Sequence, residues 1–354
     1  MVCTQTGRKG LSPGIIHAVG RMGRPSVLSL NRTRIAMVVT PLFPRQYTTR
    51  PPTLDDAQIV ADLMNVCQVA DGETPDMTPE EVRRDWVGVD LAQGALLVFD
   101  AAGDLAAFVD TINRNFVQLT LYIFVLPGPD ADRLWRGLIR WGEAWLAQRM
   151  HLAPTPARLA IQHFQPASQV QGQAILAEMG YTNVRTHYVM AAKLDEPVPP
   201  PDWPAGLDVR PFVPGQDDRA LFEAGEEAFQ DLWNRPPSTF ERWLAPTHEP
   251  GFDPSLWFLG VDQASGEIVA VCLCALVAGR GEVDVVGVRR PWRKQGLGLA
   301  LLRHALGEFQ RRGLSEAGLN VDSASPTGAP RLYGRAGFEI TKRVFRFEKV
   351  VREA

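Results

Sequence analysis

Along the second half of the chain the spacing of apolar and polar residues changes at intervals, and each change marks an element. Residues 207–211 read as a strand. Asp217 or Asp218 caps a helix running to about Phe229, and Ser238 or Thr239 opens a short one carrying Phe240, Trp243 and Leu244. Residues 256–261 and 268–277 form a hairpin around Ala264-Ser265-Gly266. The valine-rich run 283–288 is the central strand. A helix follows over 298–312, with Leu299, Leu302, Leu306 and Phe309 on one face and Gly313 as its stop. Strand 319–321, helix 329–335, Phe338 and the apolar run 344–350 complete the series. Strict alternation along the central strand puts Glu282, Asp284 and Val286 on one face and Val283, Val285 and Gly287 on the other.

The first half follows the same path. Arg50-Pro51 precedes its first helical pattern as Arg210-Pro211 precedes the later one, and Leu176 to Tyr181 answers Tyr333 to Phe338. A two-copy repeat of domain length is a tandem duplication of one α+β fold rather than a solenoid. The expected organisation is a domain over 46–195, a proline-rich linker over 196–205 acting as an extended spacer, and a second domain over 206–354.

Composition narrows the class. At 354 residues and 45% hydrophobic content the chain can bury two cores. No apolar run approaches the roughly 20 residues that span a bilayer, so a cytoplasmic protein without membrane association is expected. A net charge of −3 argues against a general nucleic-acid binder. The first 54 residues nevertheless hold eight Arg and Lys and no acid. That leader, 1–45, reads as a disordered basic extension. Its composition also suits a transit peptide, or an upstream start with Met37 as the true first residue. The four cysteines form no Cys-x-x-Cys pair; Cys272 and Cys274 share one strand face and read as small core residues, with no metal site implied.

The chemistry concentrates after the central strand. Arg293-Lys294-Gln295-Gly296-Leu297-Gly298-Leu299 is a basic, glycine-punctuated turn feeding a helix, an arrangement whose backbone N–H groups suit an anion. It lacks the Gly-Lys-Ser/Thr of a P-loop and the third glycine of the dinucleotide fingerprint. The spacing Arg293-x-x-Gly296-x-Gly298, followed by Leu332-Tyr333-x-x-x-Gly337-Phe338, resembles the GNAT superfamily of N-acyltransferases.

That resemblance implies two GNAT domains, each a mixed, mostly antiparallel sheet flanked by helices, and acetyl-CoA as acyl donor. It implies that residues 293–299 hold the pyrophosphate, that Val286 and Val288 pair with the pantetheine arm, and that Ser325 stands where many members carry a cofactor-contacting Asn. Tyr333 corresponds to the general acid for the departing thiolate. Glu282 corresponds to the base of some branches, with Asp284 or water as alternatives. Catalysis in the family is direct attack by the amine, with no covalent enzyme intermediate.

The first half departs at these points. Leu126-Pro127-Gly128-Pro129-Asp130-Ala131-Asp132 replaces the loop, removing two N–H donors and adding two carboxylates, and Leu176 replaces Tyr333. The expectation is a degenerate first domain and an N-acetyltransferase in the second, acting on a small-molecule amine. The alternatives are a non-enzymatic acyl-CoA sensor and a protein or peptide acetyltransferase. Phe229, Trp233, Phe240, Trp243 and Trp257, with Glu226, Glu227, Asp231 and Glu241, mark the segment expected to face the acceptor.

Overall fold

A computed structural model describes residues 42–353 except 88, 115, 231–238, 249–250 and 278. The described residues divide into two compact units. One holds 42–163, 168–182 and 348–353; the other holds 164–167 and 183–347.

In the first unit the chain order is β1 (Thr48–Arg50), α1 (Ala57–Ala70), α2 (Pro79–Asp85), α3 (Leu91–Gly94), β2 (Ala95–Phe99), β3 (Leu105–Arg114), β4 (Gln118–Val125), α4 (Ala131–Ala147), β5 (Leu159–Pro166) and α5 (Val170–Glu178). The strands lie in the order β1-β2-β3-β4-β5. All pairs are antiparallel except β4 with β5, which run parallel and match only from Gln118–Thr120 to Ala160–Gln162. Helix α1 buries Val60, Leu63, Met64 and Cys67 against Leu97 and Phe108 of the sheet.

The second unit continues with β6 (Thr182–Lys193), β7 (Leu207–Pro211), α6 (Asp218–Phe229), α7 (Phe240–Leu244), β8 (Trp257–Asp262), β9 (Ile268–Val277), β10 (Arg280–Val288), α8 (Leu297–Arg311), β11 (Glu316–Asp322), α9 (Ala329–Arg335) and β12 (Glu339–Arg352). Its strand order is β7-β8-β9-β10-β11-β6-β12. Strand β6, which precedes the proline-rich segment, pairs antiparallel with β11 from Glu316↔Lys193 to Asp322↔His187.

Two apolar layers cover this sheet. On one side α8 buries Leu301, Leu302, Ala305, Leu306 and Phe309 against Val269, Cys272, Cys274 and Val283. On the other, Leu221 and Ala224 of α6 and Trp243 of α7 pack on Leu259, Val271, Leu273 and Val285. Cys272 and Cys274 are both buried, their sulfurs 3.7 Å apart. The proline-rich segment is not a free spacer. Gln310 on α8 donates to the carbonyls of Leu194 and Glu196 (2.8 and 2.7 Å) and accepts from Val198 N, and Trp203 packs its ring edge against His304.

The repeat seen in sequence recurs at side-chain level. Arg50 makes two bonds to Asp56 (2.7 and 2.6 Å), and Arg210 makes two to Asp217 (2.6 and 2.8 Å). Each carboxylate also accepts a backbone N–H, from Thr53 or Val213. Asp217 therefore occupies the cap position of α6 without bonding the helix amides; its oxygens are turned back to Arg210. Ser238, the other expected cap, lies outside the described residues.

Candidate active site

The site begins with an irregularity in β10. Val283 faces Cys274 and Val285 faces Leu273, so Asp284 is an extra residue bulged out of the ladder. One inserted residue shifts the period, and this overturns the strict alternation expected from sequence. Before the bulge Gly281 and Val283 face α8; a β-carbon at Gly281 would strike the Phe309 ring at 2.5 Å. After it Val286 and Val288 take the α8 side. Val285 and Gly287 turn to the α6 side, where a β-carbon at 287 would meet Ala228 and Phe229 at 3.1 Å. Glu282 and Val286 consequently lie on opposite faces.

The second irregularity is between strands. β10 and β11 run parallel and match for only two rungs, Gly281↔Ala317 and Glu282↔Gly318. Beyond them the strands part, and the wedge opens into a cavity of about 570 Å³. Val286, Val288, Arg293, Lys294, Gly296, Leu297, Gly298, Leu299, Ser325 and Tyr333 all line it. Two sequence-nominated residues do not. Gln295 bends its amide back to the Pro291 carbonyl at 3.2 Å, and Glu282 lies in the paired region before the wedge.

Glu282 is 2% exposed. Its carboxylate sits 3.2 Å from Arg280 Nη2 and directly over Gly318. Burial pushes its carboxyl up to about 7, with Arg280 opposing the rise. Asp284, the bulged residue, puts a half-buried carboxylate on the cavity wall. Asn320 and Asp322 of β11 line the wall as well. Asp322 anchors the next turn by accepting from Ala324 N at 2.9 Å and lies 3.8 Å from Arg185 Nε. Ser325 in that turn hydrogen-bonds Thr327 at 3.0 Å.

The loop is built differently from a simple basic cradle. Arg293 turns its guanidinium onto the protein, donating to the carbonyls of Val288 (3.1 Å) and Ala228 (3.0 Å), so it braces the loop against β10 and α6. Gly296, at φ +89°, opens α8 from a left-handed conformation with empty space where a β-carbon would point. Gly298 serves another purpose: a β-carbon there would lie 3.1 Å from the Leu332 side chain, so its absence seats α9 on the first turn of α8. Tyr333 follows Leu332 and reaches the cavity, its ring edge-on to Phe338 at 6.1 Å. Burial raises its hydroxyl above the ordinary phenol value, and the nearby Cys272 thiol adds to the rise.

The acceptor-facing expectation is largely replaced by packing. Trp243 and Trp257 are core residues, and Phe240 stacks edge-on with Phe222. Glu226 accepts the Trp243 indole N–H, and Glu227 holds Arg289 at 2.6 Å. Of that group Phe229 lines the cavity; Asp231 and Trp233 lie outside the described residues. In the first unit, the carboxylate of Asp130 before α4 accepts from Gln46 and Tyr47, and Gly137 on α4 carries the Leu42 carbonyl and Phe43 ring where a side chain would be. Leu176 is buried. Sequence reasoning passed over Arg331 and Arg335, which also line the cavity of the second unit; their four-residue spacing on a short helix was the available signal. Among the described residues no His, Cys, Asp and Glu cluster could hold a metal, and no helix is long and apolar enough to cross a membrane.

The chain is similar to known proteins. The model of the acetyltransferase (GNAT) family matches residues 219–338. A mycothiol acetyltransferase of Thermobispora bispora is 35% identical over 171 residues, 46% of this chain and 57% of that protein. Another, from Thermobifida fusca, is 30% identical over 236 residues, 63% of this chain and 69% of the relative. The chain spans about half the length of several such curated relatives. The crystal structure of a GCN5-related N-acetyltransferase from Sphaerobacter thermophilus matches at 46% identity with a TM-score of 0.82, covering 88% of this chain and 98% of that one.

Proposed function

The chain belongs to the acetyltransferase (GNAT) family, and from that premise we propose that its second unit transfers an acetyl group from acetyl-CoA to the amine of a small molecule. The observation that carries the reading is the wedge between β10 and β11, with a helix-opening loop at its mouth and Tyr333 on its wall. The residues present fit the donor. Gly296 leaves room at the start of α8 for a pyrophosphate, and the edge of β10 at Val286–Val288, parted from β11, offers backbone to an extended arm, with the Val288 carbonyl already taken by Arg293. The thioester supplies an activated acyl group and a thiolate leaving group.

The chain's own residues then have three tasks. The loop 293–299, braced by Arg293, binds and orients the donor. The Tyr333 hydroxyl, protonated at neutral pH like any phenol and pushed further that way by burial, holds the proton that the departing thiolate needs. One carboxylate in the bulge and one just before it divide the remaining work. Asp284, on the wall, attracts the acceptor as an ammonium. Glu282 is buried outside the cavity, so its carboxyl, held at about 7, would take the proton that the ammonium must lose before attack by way of water rather than by contact. The relatives' name, mycothiol acetyltransferase, supports a small-molecule acceptor.

Thiol release from acetyl-CoA, followed over a panel of small amines and of peptides, tests the reading. Acceleration by one or more small amines is expected. Acceleration by peptides alone would reassign the acceptor, and acetyl-CoA binding without any transfer would leave a sensor.

A further inference from the structure

We infer that Arg331 and Arg335 form a second phosphate subsite, apart from the pyrophosphate loop, that recognises the phosphomonoester on the ribose of coenzyme A. This rests on the proposal that the wedge binds an acyl-CoA.

The two arginines are one turn apart on α9 and so share a face. Both line the cavity and both are exposed. Among the described residues no hydrogen bond or ion pair holds either guanidinium; the Arg331 backbone N–H is committed to the Gly328 carbonyl. Most neighbouring arginines of the unit are committed: Arg280 to Glu282 and Glu316, Arg289 to Glu227 and Glu267, Arg293 to backbone carbonyls, and Arg312 to Asp253 and Glu308. A matched pair left open at a cavity rim is therefore unlike the pattern around it.

Its position selects the ligand. Leu332, between the two, packs on Gly298 in the first turn of α8, which sets the pair beside the pyrophosphate loop rather than at the inner end, where Asp284 lies. In coenzyme A the 3′-phosphate is one ribose away from the pyrophosphate. A phosphomonoester carries nearly two negative charges and three acceptor oxygens. Guanidinium forks match that geometry, whereas the pyrophosphate is suited to helix-terminal N–H groups. Lys294, exposed at the same rim, adds charge of the same sign. Asp322 does not cancel the pair, since it lies against Arg185 and accepts the Ala324 amide.

The experiment is titration calorimetry of the full chain with coenzyme A and with 3′-dephospho-coenzyme A. The wild type should bind the dephospho form about tenfold more weakly, a range set by charge-assisted bonds at an exposed, salt-screened site. Arg331→Ala/Arg335→Ala should lose about the same factor toward coenzyme A and nothing toward the dephospho form, and Arg331→Lys/Arg335→Lys should recover part of it. The wild-type preference should shrink with added salt. Equal wild-type affinities would overturn the subsite while leaving the proposed function standing. Equal weakening of both ligands by the double alanine variant would overturn it too, by tying the arginines to the shared part of the molecule. Failure of the wild type to bind either ligand would remove the subsite together with the reading it rests on.

Discussion

Glu282 lies across Gly318 of the neighbouring parallel strand, so that a β-carbon at 318 would sit 2.7 Å from its Oε2 and 3.1 Å from Arg280 Cζ. This contact fixes a buried carboxylate at the last rung before the wedge opens. A raised folded-state pKa means that the native protein holds the proton more tightly than the unfolded chain. Stability from this group is then full below about pH 4.5 and falls as pH rises toward 7. Glu282→Gln should flatten that decline and be the more stable protein above pH 7, by on the order of 2 kcal/mol. Urea unfolding of both proteins from pH 4 to 8 reads it out; parallel curves would refute the buried, protonatable state. In transfer assays the same variant should lose the rise in kcat/KM near pH 7.

The Arg50–Asp56 and Arg210–Asp217 pairs give the opposite sign. Two bonds from Arg50 hold Asp56 down at about 2, and Arg210 lowers Asp217 likewise. A depressed carboxylate stabilises the fold above its unfolded value and loses that contribution as pH falls through the folded one. Asp56→Asn should cost about 1 kcal/mol at pH 7, discounted because Arg50 is nearly half exposed. The deficit should close between pH 4 and pH 2. A deficit constant with pH would point to packing instead.

Tyr333→Phe keeps the ring against Phe338 and removes the hydroxyl. Single-turnover transfer should slow by about 10²-fold or more, while calorimetric acetyl-CoA affinity changes little, because the hydroxyl acts on the leaving group. Wild-type chemistry in the single turnover would make Tyr333 a packing residue.

Gly298 and Gly296 should fail differently. Gly298→Val displaces Leu332 and with it α9, so donor affinity should drop, and Leu332→Ala in the same chain should restore part of it. Gly296→Val meets no neighbour but forces a branched residue to φ near +89°; Leu332→Ala should not rescue it. Equal rescue of both would show that the seating of α9 is not what Gly298 provides.

One donor should bind per chain. In the first unit Asp130, held by Gln46 and Tyr47, puts a carboxylate at the start of α4 where the second unit has Gly296. Calorimetric stoichiometry near one is expected; two equivalent sites would contradict the inequality of the halves.

The sequence by itself determined the duplicated α+β path, the phosphate-type loop and the Tyr333 segment. These are local: valine runs, helix-period leucines, glycines at turns and proline punctuation act within a few residues, and the strands and helices of the second half appeared close to where periodicity put them. The placement of side chains across the site was decided only by tertiary structure. Alternation assigned Glu282 and Val286 to one face, but the bulge at Asp284 arises from how β10 is matched to β9 and reverses everything beyond it. Arg293 reads as a phosphate ligand until folding brings the Ala228 carbonyl to it from 65 positions away. Gly298 reads as room for a ligand until Leu332 arrives from α9. Each of these depends on partners distant in the chain, and a one-dimensional pattern carries no record of which distant group will come to lie against which.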